Sequence, residues 1–211
     1  MAGSPEALFA AVLGNAPSKP FVTFYDEGTG ERSELSAKSL ANWVAKTHFL
    51  LTDELGLGVG DAAYVDVPAH WISVPILLGC WTAGLEIVSD PERGAVAFVA
   101  STPEGRAEYV ASVRPQADVW ATVHAPAAPS DPAVDGLTRA DLVAKAAARA
   151  GELGMAPGAR ILTARDWHGL DDWVDTLLAA LSVGGSLVIV HGGDADVIAR
   201  RAEQERATNV V

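Results

Sequence analysis

The chain has 211 residues, 49% apolar and 20% charged, enough for one large or two small globular units that fold without cross-links. Its 27 acidic residues outweigh 15 Lys and Arg for a formal charge of −12, which repels phosphodiester backbones and argues against a nucleic-acid partner. The single cysteine, Cys80, lies in the apolar run ILLGCWTAG, which excludes a disulfide framework or a cysteine-rich metal site and reads as a buried thiol in a reducing compartment.

The N-terminal stretch MAGSPEALFAAVLG places a short apolar helix first, with no basic leader ahead of it, so a cytoplasmic protein is expected. PFVTFYDEGTGERSEL then reads as a β-hairpin, an apolar strand turning at Asp26 to Gly30 into a second strand, and is expected to be an ordinary surface element. Ser36 caps a helix whose Leu40, Val44, Thr47, Leu51 and Leu55 recur at helical spacing until the glycines of GLGVGD stop it. The strand AAYVDV follows. Residues 71–88, WISVPILLGCWTAGLEIV, have nearly the length and hydropathy of a membrane span. Pro75, Gly79, Gly84 and Glu86 interrupt them, and the pattern reads instead as a buried helix over 69–83, a glycine turn and a buried strand.

The second half repeats that order. Thr138 caps a helix, with Asp141 three residues on completing the reciprocal hydrogen-bond pattern that satisfies two free backbone donors, and Leu142, Val143, Ala146, Ala150 and Leu153 form its apolar face. LGMAPGA ends it as LGLGVGD ends the first; then come the strand RILTA, a helix over 170–181, a turn at Gly184 and Gly185, and the strand SLVIV. The expected fold is α/β: two similar α-β-α-β units with mainly parallel sheets flanked by helices, plus an N-terminal β-hairpin. The first unit covers 1–124 and the second 137–211, the two forming one globule. The proline-rich stretch 125–136, APAAPSDPAVDG, reads as the surface connection between them.

With these passages in view, the chain resembles the N-terminal region of the adenylate-forming superfamily, the acyl-CoA synthetases and related AMP-binding enzymes. The hairpin, the helix ending in Leu-Gly-x-x-x-Gly-Asp, the Ala-Gly helix end and the Gly-Gly turn before an apolar strand carry the likeness over most of the chain, and ERATNVV resembles the family's following strand. The resemblance implies a Ser/Thr/Gly-rich phosphate loop ending in Pro-Lys-Gly just before the helix at Thr138, where backbone amides and a lysine hold ATP. This chain has PSDPAVDG there, with two aspartates, one glycine and no lysine. It also stops before the family's adenine- and ribose-binding motifs, its magnesium-contacting Thr-Glu and its C-terminal domain with the catalytic lysine. The expectation is a truncated, non-catalytic relative, with no catalytic residue, metal or cofactor assigned. ATP, AMP or coenzyme A enter only through the resemblance.

The candidate ligand-binding residues are Trp167, His168 and Gly169, in RDWHGLDDW, which match the family's aromatic-His-x-Gly segment with the glycine one position early. In the family this segment lines the acyl or aryl pocket. A strand-to-helix loop with Asp171 and Asp172 facing the helix N-terminus accounts for the same residues without a ligand. HGGDAD, residues 191–196, reads as a turn and helix cap at Asp194 or Asp196 rather than a metal site. The glycines of GLGVGD follow a helix and do not match a dinucleotide fingerprint, and no G-x-S-x-G elbow is present. The leading expectation is a binder of a small acid, acyl or nucleotide-type ligand, or of a protein partner. The alternatives are a ligase component for acyl or aryl acids completed in trans by another chain, and a structural module that self-associates into a homo-oligomer. No membrane association is expected.

Overall fold

The computed structural model describes residues 3–211. Helix α1 (Pro5–Asn15) opens on a proline, whose fixed φ suits a first helical turn, and buries Phe9 and Val12. Strands β1 (Pro20–Asp26) and β2 (Arg32–Ser36) form the expected hairpin. Helix α2 (Ala37–Phe49), capped by Ser36, runs on into a π-helical turn at Leu50–Glu54. Strand β3 (Ala62–Asp66) leads to helix α3 (Ser73–Ala83) and strand β4 (Glu86–Val88). Every residue of α3 is buried, and Gly84 ends the helix at a φ of 94°, a value glycine adopts without steric cost. The membrane-like hydropathy here is that of a core helix. Among the described residues no helix is long and apolar enough to cross a membrane.

Strand β5 (Val96–Val99) and helix α4 (Pro103–Val113) complete the first half. A second hairpin, β6 (Pro132–Val134) and β7 (Leu137–Thr138), leads into α5 (Arg139–Glu152) and β8 (Arg160–Thr163). Helices α6 (Leu170–Trp173) and α7 (Ala179–Ser182) are joined by a π-helical segment, Val174–Leu178, so the backbone is helical over 170–182. Strand β9 (Ser186–His191), helix α8 (Ala195–Gln204) and strand β10 (Asn209–Val210) close the chain.

The strands form two five-stranded sheets, β5-β3-β4-β6-β7 (sheet I) and β10-β8-β9-β1-β2 (sheet II). All neighbours are parallel except within the two hairpins. Each hairpin completes the sheet of the other half: β1 pairs with β9, and β6 pairs with β4. The halves therefore interlock. This exchange explains why β1 carries five consecutive buried residues, since it lies inside sheet II. It also corrects two sequence expectations. The first hairpin is a core component of the second half's sheet. Residues 125–130 of the proline-rich connection are exposed or half-buried, but Ala133 and Val134 are buried in β6, because a parallel strand bonds there to β4.

Sheet II shows the two-residue alternation of a covered strand. Ile161, Leu187 and Ile189 face the main core, while Leu162, Val188 and Val190 join Tyr25 in a smaller cluster under α8. Helix α1 packs against α2, α3, α5 and α7, drawing both halves into that main core. Two close contacts fix the middle. A Cβ on Gly79 of α3 would come within 2.5 Å of Thr47 in α2, so glycine lets these helices meet. Arg139, fully buried, donates from Nη1 to Glu6 Oε2 at 2.9 Å and to the Trp81 carbonyl at 2.8 Å, and from Nη2 to the Leu85 carbonyl at 3.2 Å. That one side chain ties α5 to α1 and to the end of α3.

Candidate functional site

Parallel sheets gather ligands at the carboxyl ends of their strands, where chain reversals leave side chains and backbone groups free. In sheet I those ends are Asp66, last in β3, Ser89, just past β4, and Asp135, just past β6. The loop between β8 and α6, residues 164–169, reaches over them from the other half. Together they enclose a cleft of about 150 Å³, whose remaining walls include Tyr64, Val88, His168, Gly169 and Trp173.

Local bonding explains how the loop is held. Asp166 Oδ1 accepts from the N–H groups of Ala69 at 3.0 Å and Trp167 at 2.9 Å, pinning the loop to the first half. Asp172 Oδ2 accepts from the His168 N–H at 2.8 Å, a carboxylate reaching back from the first turn of α6. Gly169 sits at φ 151°, a conformation that essentially only glycine adopts, and directs the chain from the cleft into the helix.

The three residues singled out by sequence take different places. His168 is exposed and, with Gly169, lines the cleft. Trp167 is only 3% exposed and belongs to the main core, because its side of the loop faces inward; it does not line the cleft. Trp173, 4% exposed, supplies the aromatic wall instead. The Nε1–H of each tryptophan is buried without an acceptor. Asp66, Ser89 and Asp135 were not singled out by sequence. The available signal was their position one step past or at the end of a predicted parallel strand.

The turn between β6 and β7 is the most informative part. It has only two residues, Asp135 at φ 43° and Gly136 at φ 83°, the pair of positive angles that a tight Asp-Gly hairpin turn requires. Its donors are occupied. Asp135 N–H donates to the Ile87 carbonyl at 3.0 Å, and Gly136 N–H to Glu86 Oε1 at 2.6 Å. Asp135 Oδ1 in turn accepts from the Ser89 N–H at 3.1 Å and lies 3.5 Å from Arg93. No free amide nest remains in this turn for a phosphate; its carboxylates, Glu86 and Asp135, already share a nearby cation, Arg93.

Asp194 is the N-cap of α8, accepting from the Val197 N–H at 3.0 Å. Among the described residues no group of three His, Cys, Asp or Glu side chains is placed to hold a metal. Cys80 is buried, and burial pushes its thiol well up from the ordinary range, away from nucleophilic chemistry.

The two interlocked sheets define this chain as having the fold of the N-terminal region of adenylate-forming ligases. An anthranilate-CoA ligase, AuaEII, solved with anthranoyl-AMP, superposes with a TM-score of 0.75 at 14% identity, covering 99% of this chain and 49% of that one. A Mycobacterium tuberculosis fatty acyl CoA synthetase gives 0.74 at 12% identity, over 97% and 48%. Apo MbtA of Mycobacterium smegmatis gives 0.68 at 18% identity, over 98% and 47%. The chain thus spans about half the length of these three proteins. No family model matches it. A protein of Mycobacterium tuberculosis (strain ATCC 25618 / H37Rv) described as a TIGR03089 family protein is 32% identical, over 97% of this chain and 96% of its own length. The chain belongs to the TIGR03089 family.

Proposed function

We propose that this protein is a non-adenylating member of the adenylate-forming fold that binds a small ligand in the cleft at the end of sheet I. One observation carries the reading: the hairpin turn preceding α5, where the superfamily resemblance leads one to expect a phosphate loop, is the two-residue Asp135-Gly136 turn with its amides already bonded. Adenylation needs donors aimed at the charge that develops on the phosphates, and this turn has none to give. A carboxylate stands where a lysine would be needed. The cleft nonetheless keeps an exposed imidazole, a tryptophan wall and several strand-end polar groups, the makings of a binding site.

The test has two arms. ATP–pyrophosphate exchange with a panel of acyl and aryl acids is expected to stay at the blank rate. Exchange by the pure protein would overturn the reading, and exchange only after adding a second, lysine-bearing chain would favour a ligase completed in trans. The binding arm is thermal unfolding against the acids, AMP, coenzyme A and a set of small amines and polyols. A bound ligand at about one hundred times its dissociation constant adds roughly 2.7 kcal/mol and raises Tm by several degrees. No shift with any compound would remove the cleft from consideration.

A further inference from the structure

We infer that the open edge of sheet I is a docking groove for an extended, basic segment of a partner protein, which joins the sheet as a further strand beside β5. The groove shares no lining residue with the cleft, so the inference stands apart from the ligand reading above. Strand β5 ends sheet I, with β3 on one side and no strand on the other among the described residues. Parallel pairing with β3 uses alternate backbone groups of β5, and the remaining N–H and C=O groups point outward. A groove of about 390 Å³ runs along this strand, and Val96, Ala97, Phe98, Val99 and Ala100 line it in unbroken succession. A hollow over one face of a sheet touches every second residue of a strand. One that touches all of them lies against the edge, where the outward backbone groups are.

The walls of the groove are fixed. Helix α4 forms one and the π-helical turn at Leu50–Glu54 with Leu55 the other. Gly105 lets the first turn of α4 press on the end of β5, where a Cβ would come within 2.0 Å of the Val99 carbonyl oxygen. Lys46 Nζ of α2 holds the other end of α4, donating to the carbonyls of Arg114 at 3.2 Å and Gln116 at 2.6 Å. Between these ties Leu55 and Val99 stay 46% and 48% exposed, and the lining is otherwise apolar enough to take aliphatic side chains. Charge decides the occupant. The charged residues of the lining are Glu54 and Glu108, both exposed and on opposite walls, with neither Lys nor Arg among them. A second copy would bring the same two carboxylates and another net charge of −12, so self-pairing is opposed. A strand alternating aliphatic residues with Lys or Arg meets all three features: its backbone bonds to β5, its apolar side chains enter the groove and its cations face the two glutamates.

The probe is the synthetic peptide KVKVKVK, acetylated and amidated at its ends, titrated by calorimetry at about 0.15 M salt and followed by amide exchange in NMR spectra. It is expected to bind and to slow exchange at Val96 to Val99. The same peptide methylated on the backbone nitrogens of its three central residues keeps its charge but loses donors on both of its edges, and is expected to bind about tenfold more weakly or worse. EVEVEVE is expected to be inert. Glu54→Lys combined with Glu108→Lys should reverse the preference between the two charged peptides, and Ala97→Arg, which fills the groove from an exposed position, should abolish binding at an unchanged Tm. Equal affinity for the methylated and unmethylated peptides would overturn the inference by reducing the contact to charge alone, and this arm needs no protein variant. Failure of KVKVKVK to bind, or protection confined to residues outside β5, would overturn it as well. A dimer in sedimentation that Ala97→Arg dissolves would assign the groove to a second copy and overturn it too.

Discussion

The two halves of the molecule use one plan and end in opposite surfaces. Hairpin, helix, strand, six-residue loop and helix recur, the loops being 67–72 before α3 and 164–169 before α6. Counted from the preceding strand, His70 and Trp71 of the first loop fall opposite Trp167 and His168 of the second. The order of the two residue types is reversed. In the first loop the imidazole is turned inward, 6% exposed, its ring 4.2 Å from that of Phe24 and its Nδ1 accepting from the Ile72 N–H at 3.1 Å. In the second the tryptophan is turned inward and the imidazole faces out over the cleft. A swap of neighbours within one backbone frame closes the end of sheet II with a packed histidine and leaves a histidine on the rim at sheet I.

The helices that follow the two hairpins differ just as sharply at their first residue. Both are buried there, but α2 begins with Ala37 and α5 with Arg139. Arg139→Ala is expected to be the most damaging single change, costing about 3–5 kcal/mol, since it strands Glu6 and two carbonyls in the core. Urea denaturation of Arg139→Ala beside the double variant Arg139→Met, Glu6→Leu sharpens the comparison. If the ion pair specifies the interlocked arrangement without adding much net stability, the double variant recovers most of the loss. A single-variant loss under about 1 kcal/mol would mean the second half tolerates alanine there as the first does.

The buried histidine makes the next largest difference. Burial first, with nearby Arg106 adding to it, pushes the His70 imidazole down to about 4, so the folded protein holds it neutral while the unfolded chain takes up a proton near the ordinary value of about 6.5. Its contribution is complete above that value and is lost as the pH falls from about 6.5 towards 4, up to about 3 kcal/mol. Glu31 at 3.9 Å, Asp26 and His191 also face the ring, and burial lowers His48 in the same direction. His70→Asn, whose amide oxygen can still accept from Ile72, should flatten most of this limb in urea titrations between pH 7.5 and 4.5. Asp175, held below the usual carboxylate range by its hydrogen bonds from Arg149, loses its contribution only further down in pH and stays out of that window. A variant curve parallel to the native one would place the acid sensitivity elsewhere.

Much of this plan is written locally. The caps at Ser36 and Thr138, the helical spacing from Leu40 onward and from Leu142 onward, and the glycine stops at Gly84 and Gly184 each depend on residues within a turn or two. The hairpin exchange is not of this kind. Val22 pairs with Leu187 across most of the chain, and nothing in PFVTFYD distinguishes a surface hairpin from a strand that will be enclosed by β9. Strand β6 hides for a different reason: Pro-Ala-Val in a proline-rich run has the composition of a linker, and only its pairing with β7 on one side and with Ile87 of β4 on the other makes it a strand. The cleft divides in the same way. His168 was visible in its motif, whereas Asp66, Ser89 and Asp135 are ordinary polar residues until sheet I brings their strand ends together.

The capped helix starts give the smallest expected effect and the most direct measure of how alike the halves are. Ser36 Oγ accepts from the Ser39 N–H at 3.1 Å, and Thr138 Oγ1 from the Asp141 N–H at the same distance. The expected reciprocal bond from Asp141 to the Thr138 backbone is replaced by a side-chain contact, Thr138 Oγ1 donating to Asp141 Oδ2 at 2.7 Å, which orients the hydroxyl so that its lone pair meets the amide. The carboxylate therefore acts through the threonine and near the positive end of α5, and Ser36 has the Ser39 hydroxyl in its place, at 3.1 Å. Ser36→Ala and Thr138→Ala should each cost about 1 kcal/mol by urea denaturation, with Thr138→Ala the larger. Adding 0.5 M salt should narrow the gap, because only the α5 cap includes a charge. Equal losses that do not respond to salt would reduce the two caps to the same device and confine the divergence of the halves to Arg139 and the reversed His-Trp pair.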